Sequence, residues 1–416
     1  MRIRTARLTA ATTAAASVLA LAGCGAGSDA AGGKTTVTTW VYPVIFDEKK
    51  NAAYWSGLEK AFEKANPDID VKVSTYPWAD RDTKLATALA AGKGPDVAYL
   101  IPDQLAAYRR NLTPADDYLS AKDRAAYRDS ALKAVTVDGK AMAAPVLMSA
   151  YPLMCNKKVL DAIGTDTVPT TWEELAALGA AAKKKGYYGI TYSGDTTATL
   201  NMTYYPLLWQ AGGDVLSDDG RKAAFNSAAG VSALTWLKRF VDQGWTPKDL
   251  ITKTPSIEQT DLARGKVACT WQNSAAEVAG YWGEGNIVMG SALTGERAVA
   301  YGTVGTLAMF RGADTDAAGQ WISFVSRPEN VAGLVTPGGY FAARADGGDL
   351  YPGDTLQQAT EKVLDSADVG PLNTASRDVM GALAPEIQAA LLGKESPKAA
   401  LDKAAAAADQ IISRKR

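Results

Sequence analysis

The sequence predicts an α/β protein in which helices cover a parallel sheet, spread over two or three domains. Three observations lead there. A strand–helix alternation opens the folded part of the chain, the pattern resumes after an intervening segment, and the 416 residues are 47% hydrophobic and 21% charged. That is ample apolar material for more than one core.

Val37-Thr38-Thr39-Trp40-Val41 reads as a strand. Tyr54, Leu58, Ala61, Phe62 and Ala65 recur at helical spacing, and Asn66-Pro67 stops that helix. Ile69, Val71 and Val73 alternate with polar residues, the signal of a second strand. Asp80 or Asp82 can cap a helix carrying Leu85 and Leu89, which ends at Gly92. Asp96-Val97-Ala98-Tyr99-Leu100-Ile101 is then a continuous apolar strand. This βαβαβ rhythm implies parallel strands buried on both faces. Further on, Thr170 with Glu173, or Thr171 with Glu174, offers a capping box for an Ala/Leu helix running to Gly186. Ala228 to Gln243 is a second amphipathic helix, and Lys266 to Trp271 a strand. Ala384 to Leu392 and Pro397 to Ile412 close the chain as Ala-rich helices.

Composition excludes much chemistry. There is no His, which removes Ser-His-Asp and Cys-His catalysis, HExxH zinc sites and any His metal ligand. The balance of 44 Lys+Arg against 45 Asp+Glu argues against a nucleic-acid-binding surface. No motif calls for a cofactor or a metal. Gly33-Lys34-Thr35 echoes the end of a P-loop, but Ser28 stands where its leading Gly belongs.

Residues 1–33 read as address rather than fold. Arg2, Arg4 and Arg7 form a positive n-region, and Leu8 to Leu21 is an uncharged Ala-rich stretch, together a secretory signal. Leu21-Ala22-Gly23-Cys24 resembles a bacterial lipobox. Residues 1–23 are thus expected to be a lipoprotein signal peptide, Cys24 the acylated first residue, and 24–33 a flexible tether. Without 1–23 the chain carries 41 basic and 45 acidic residues, net −4. No second apolar run approaches the ~20 residues a bilayer requires. Cys155 and Cys269, both in apolar runs, read as buried free thiols rather than a disulfide or a metal site.

The order of segments is similar to that of the extracellular solute-binding proteins of ABC importers, the sugar-binding family that includes maltose-binding protein. The stretches that carry the resemblance are Phe62-Glu63-Lys64-Ala65-Asn66-Pro67-Asp68, Leu89-Ala90-Ala91-Gly92-Lys93-Gly94-Pro95-Asp96, Asn156-Lys157 leading into Pro169-Thr170-Thr171-Trp172-Glu173-Glu174, Gln210-Ala211-Gly212-Gly213, and Gly265-Lys266-Val267-Ala268. Cys155 stands where Tyr is usual, and Gln272-Asn273-Ser274-Ala275 lacks the usual Gly and Trp. The resemblance implies a two-lobed periplasmic-binding-protein fold (class II-like), each lobe a mixed sheet flanked by helices, joined by chain crossovers. Lobe 1 would be 34–143 and 298–340, lobe 2 144–297 and 341–416. It further implies a monomeric, extracytoplasmic, non-enzymatic receptor held to the membrane through Cys24. Such a receptor delivers a mono- or oligosaccharide to ABC permease subunits.

A sugar presents a C–H face to aromatic planes and a rim of hydroxyls to polar side chains. The chain has 10 Trp and 17 Tyr against 7 Phe, and aromatics with a polar handle suit such a wet cleft. Candidates at strand ends are Trp40 and Tyr42, Trp78 with Asp80, and Trp271 with Gln272. The resemblance adds Asp103 as a sugar-bonding carboxylate, Tyr205 as a stacking platform and Arg377 on the far wall. Tyr281 and Trp282 lie in a Gly-rich loop, and Tyr340 near the last crossover. Trp55, Trp172, Trp236 and Trp321, at helical spacing among apolar residues, read as packing. Rival readings are a ferric-ion site at Tyr204-Tyr205, a receptor for another small solute such as a polyol or sugar phosphate, and a secreted glycoside hydrolase, whose chemistry needs only two carboxylates.

Overall fold

The computed structural model describes residues 33–415 except Phe46 and 78–80, with the side chains of 81 and 82 also outside the description. The signal segment, Cys24, and the candidates Trp78 and Asp80 therefore lie outside the described residues. The opening alternation forms β1 (Thr35–Val41), β2 (Ile69–Thr75) and β3 (Val97–Leu100). β1 pairs parallel with both neighbours, Val37 opposite Val71 and Thr39 opposite Val97. The helix between β1 and β2, Glu48–Ala65, begins where the Asp47 carboxylate accepts the Lys50 N–H and ends at Asn66. It buries Trp55, Leu58 and Phe62 against the sheet.

β4 (Leu112–Thr113), the hairpin β5 (Thr136–Val137) and β6 (Lys140–Ala141), and the long β7 (Ala144–Tyr151) follow. A second group comprises β8 (Met154–Asn156), β9 (Tyr188–Ile190), β10 (Val267–Thr270) and β11 (Ile287–Met289). The chain then returns as the 11-residue β12 (Ala300–Phe310), with short β13 (Phe341–Ala342) and β14 (Ala367–Asp368). These make an eight-stranded sheet ordered β13-β7-β12-β3-β1-β2, with β4 and β14 also on β12, and a four-stranded sheet ordered β11-β8-β10-β9. Both sheets are mixed. β1–β3 and β9–β10 pair parallel, whereas β12 runs antiparallel to β3 and β7, as does β8 to β10 and β11.

Two sequence expectations are corrected. Cys155 and Cys269 are not free thiols but a disulfide. The register of β8 and β10 places them directly opposite each other, a juxtaposition that a sequence separation of 114 hides from the sequence. The penultimate helix starts at Ser376, well before Ala384, because Pro385 sits in its interior rather than at its first turn. That extension brings Arg377 into the opening turn. Of the two possible capping boxes, Thr171 with Glu174 forms. Trp55, Trp172 and Trp321 are buried, and Trp236 packs against the same core as Trp172. No described helix is long and apolar enough to cross a membrane.

Candidate ligand-binding cleft

A cleft of about 460 Å³ opens where the carboxyl end of β3 and the first half of β12 face the segment 196–201 and the start of helix Ser376–Leu391. One wall is built on the large sheet. The pleat puts Tyr301 and Thr303 on the same face of β12, and both line the cleft. Tyr99 of β3 lies across the backbone of Gly305, where an added Cβ would stand only 1.9 Å from its Oη. Gly305 is thus what lets that ring reach the cleft. Tyr301 stacks on Tyr151 at 5.3 Å between centroids, with ring planes 25° apart. Tyr340 completes this wall. Its ring rests on Gly338, where an added Cβ would come within 2.5 Å, and its carbonyl accepts the Tyr351 hydroxyl at 2.5 Å. Burial pushes the Tyr340 phenol above its ordinary range, so it stays a neutral donor.

The facing wall is polar. Thr196, Thr197, Thr199 and Asn201 line it, with Arg377 and Met380 from the helix. Side chains behind the segment hold it in place. The Met380 sulfur accepts from Thr199 Oγ1 at 3.7 Å and from the Leu200 N–H at 3.4 Å. Gln388 Nε2 donates to the carbonyls of Gly194 and Ile251. Trp271 Nε1 donates to the Met202 carbonyl at 3.2 Å, and Gln272 Oε1 accepts the Ser193 N–H at 2.9 Å. One ion pair spans the walls: Arg377 Nε lies 2.7 Å from Asp103 Oδ2. Asp103 Oδ1 and Asn201 Oδ1 are buried without a partner, which leaves two unsatisfied acceptors on residues that line the cleft.

Of the residues nominated from sequence, Asp103, Tyr340 and Arg377 are brought together here. Trp271 and Gln272 sit behind the polar wall as anchors. Tyr42 is buried beneath Tyr99, their rings edge to face at 6.4 Å. Tyr205 is 0% exposed in the core of the small sheet, and Trp282 is buried with its Nε1 on the Leu262 carbonyl. Tyr281 packs half-buried beside the Trp282 core, and Trp40 against Tyr76 at 4.6 Å. Neither borders the cleft. Tyr205 opens a short apolar helix, Tyr205–Gln210, whose residues are all buried, so no face of it remains for a ligand. The cleft residues that sequence reasoning passed over are Tyr99, Tyr301 and Asn201. The alternation of Tyr301 and Thr303 ahead of the apolar Leu307-Ala308-Met309-Phe310 could have marked a strand with a wet end.

The ferric reading loses its ligands. Tyr204 Oη donates to the Gly230 carbonyl at 2.9 Å, and burial raises both phenols far from ionisation. Among the described residues no group of three acidic or sulfur side chains is placed to hold a metal ion.

The family model for bacterial extracellular solute-binding proteins matches residues 47–332. The chain belongs to that family. This solute-binding protein is 26% identical over 408 residues to a binding protein of Brucella abortus, covering 95% of this chain and 96% of that one. It is 28% identical over 286 residues to the diacetylchitobiose binding protein of Streptomyces coelicolor, 65% of each chain. In fold it matches the cyclic alpha-maltosyl-1,6-maltose binding protein of Arthrobacter globiformis with a TM-score of 0.79, at 22% identity over 92% of this chain and 100% of that one. The cleft of this extracellular solute-binding protein lies at the carboxyl end of β3, the edge at which doubly wound sheets take their ligands.

Proposed function

We propose that the chain is a lipid-anchored extracytoplasmic receptor that binds a sugar or oligosaccharide in this cleft and delivers it to an ABC permease. The observation that carries the reading is the pairing of walls: Tyr99, Tyr301 and Tyr340 on one side, and threonines with Asn201 on the other. Flat rings suit the C–H faces of a pyranose, and hydroxyl and amide groups suit its rim. A volume near 460 Å³ falls within the ordinary range for small-ligand sites. Two similar proteins are named for their ligands, diacetylchitobiose and cyclic alpha-maltosyl-1,6-maltose, both oligosaccharides.

In this reading the lobes follow the sheets. β7 and β13 belong with the large sheet, so we place the first crossing between Tyr151 and Met154, later than the sequence suggests, and the return at Ala300. Cys24 provides the anchor, and the monomer is the working unit. Sugar would favour the closed arrangement by touching both walls at once.

A thermal-shift screen of the full-length protein against neutral mono- and disaccharides tests the assignment. A true ligand at 100 times its Kd adds about 2.7 kcal/mol of stability; no shift with any sugar overturns it. Cys24→Ser should release the protein from membranes, read by fractionation.

A further inference from the structure

We infer that the cleft selects its ligand by charge, accepting neutral or amino-bearing sugars and refusing uronic acids and sugar phosphates. The inference rests on the carbohydrate reading above and narrows its ligand class.

The argument begins with the charges in the cleft. Among its described lining residues only Asp103 and Arg377 are charged, and they are bound to each other at 2.7 Å. The side chain of Asp103 is only 13% exposed, so its carboxylate has little water to fall back on. The Arg377 side chain is 43% exposed, but an acidic ligand that took its Nε–H would displace Asp103. That would strand a desolvated carboxylate beside a second negative charge, a costly arrangement.

The unsatisfied atoms point the same way. Asp103 Oδ1 and Asn201 Oδ1 are both acceptors, both buried, and both without a hydrogen-bond partner. Asn201 is wedged against Gly370, where an added Cβ would meet its Oδ1 at 2.6 Å. A ligand completes this site by donating hydrogen bonds, through hydroxyl, amide or ammonium groups. The carboxylate or phosphate of an acidic sugar only accepts, so neither group can satisfy these two atoms. Glu277 adds negative charge that bears on Tyr151 and Tyr340.

The test is calorimetric titration of the full-length protein with matched sets. Maltose, cellobiose and diacetylchitobiose are each compared with a uronate-ended and a 6-phosphorylated counterpart, and diacetylchitobiose also with its de-N-acetylated diamine. The expected result is that acidic forms of whichever sugar binds are weaker by 100-fold or more, while the diamine binds at least as tightly as the diacetyl form. Asp103→Asn removes the carboxylate beside the guanidinium and should shrink the neutral-to-acidic ratio at least tenfold. Because that readout is a ratio, a general loss of fold would not mimic it. Acidic and neutral forms binding within threefold of each other, or a ratio unmoved by Asp103→Asn, overturns the charge selection and leaves the sugar assignment standing. If no member of any set binds, the carbohydrate reading itself falls, and this inference with it.

Discussion

The two walls of the cleft are built on unequal foundations. Behind the aromatic wall stands a sheet whose strands reach 7, 8 and 11 residues, so ring positions follow from a long, cooperative ladder. Behind the polar wall stands a sheet of strands three or four residues long, and the cleft-lining stretch 196–201 lies outside any strand. Backbone pairing there is too brief to hold the wall, and covalent and side-chain ties take over: the Cys155–Cys269 bridge, Met380, Gln388, Trp271 and Gln272. A long sheet aims side chains by itself. A short one needs clamps.

The disulfide gives the largest way to break this contrast. Replacing Cys155 and Cys269 by Ser opens a loop of 114 residues, for which chain entropy predicts a loss of about 4–5 kcal/mol. Denaturant unfolding should show that loss, with hydrogen exchange accelerating in β8–β11 more than in β1, β3 and β12. Uniform acceleration across both sheets would refute the unequal foundations.

Next in size is Tyr205→Ala. Truncating a wholly buried aromatic should cost about 3–5 kcal/mol of stability while leaving the affinity of the molecules that remain folded unchanged. Tyr301→Ala should do the reverse. Its ring adds about 1 kcal/mol of stacking to a ligand, roughly fivefold in Kd, with the melting temperature nearly untouched. If Tyr205→Ala abolished binding in a protein that still melts normally, the division between core and cleft tyrosines would be wrong.

That division was the part of the molecule the sequence could not reveal. The first three strands and their helices were legible because alternation and helical spacing are local properties. The cleft depends on which end of an apolar strand stays uncovered, and that is decided by elements far away in the chain. Tyr99 sits within Asp96-Val97-Ala98-Tyr99-Leu100-Ile101 and reads as core; what brings it to the cleft is Gly305, more than two hundred positions on. Tyr205 lies in a comparably apolar run and is sealed beneath helix Ala228–Asp242, whose Gly230 carbonyl holds the neighbouring Tyr204. Asp103 and Arg377 were found through resemblance. Trp271 and Gln272 were placed in the right neighbourhood but on the wrong side of the wall: they point at its backbone. Gln210, also in a recognisable motif, receives the Trp172 indole and donates to the Val299 carbonyl, so that motif ties down the approach to β12 instead of lining the cleft.

Trp271→Phe sharpens the clamp argument at smaller scale. It removes the hydrogen bond to the Met202 carbonyl but keeps most of the apolar bulk, an expected loss of about 1 kcal/mol. Exchange should quicken in 196–202, and ligand Kd should rise a few-fold although Trp271 itself borders no ligand. Unchanged exchange in that segment would remove Trp271 from the clamp.

The smallest expected effect comes from the aromatic wall, where β14 supports the start of β12. Asp368 pairs in register with Tyr301, and its carboxyl is held above the usual range chiefly by burial, with Asp214 pushing the same way. The Gly370 N–H on its Oδ1, Lys133 and Arg297 oppose the rise. A raised folded-state value means that the native protein binds this proton more tightly than the unfolded chain does. The stabilisation is therefore fully present below the unfolded carboxylate value of about 3.9 and is lost as pH climbs through the raised one. Asp368→Asn keeps an oxygen for the Gly370 N–H and removes the buried charge. Its melting temperature should exceed that of the parent at pH 7, and the gap should close as pH falls toward 4. A variant less stable than the parent at pH 7 would mean that the ionised Asp368 is stabilised by Lys133 and Arg297 more than burial penalises it. The edge beneath Tyr301 would then be held by charge pairing, and the large sheet too would depend on a clamp.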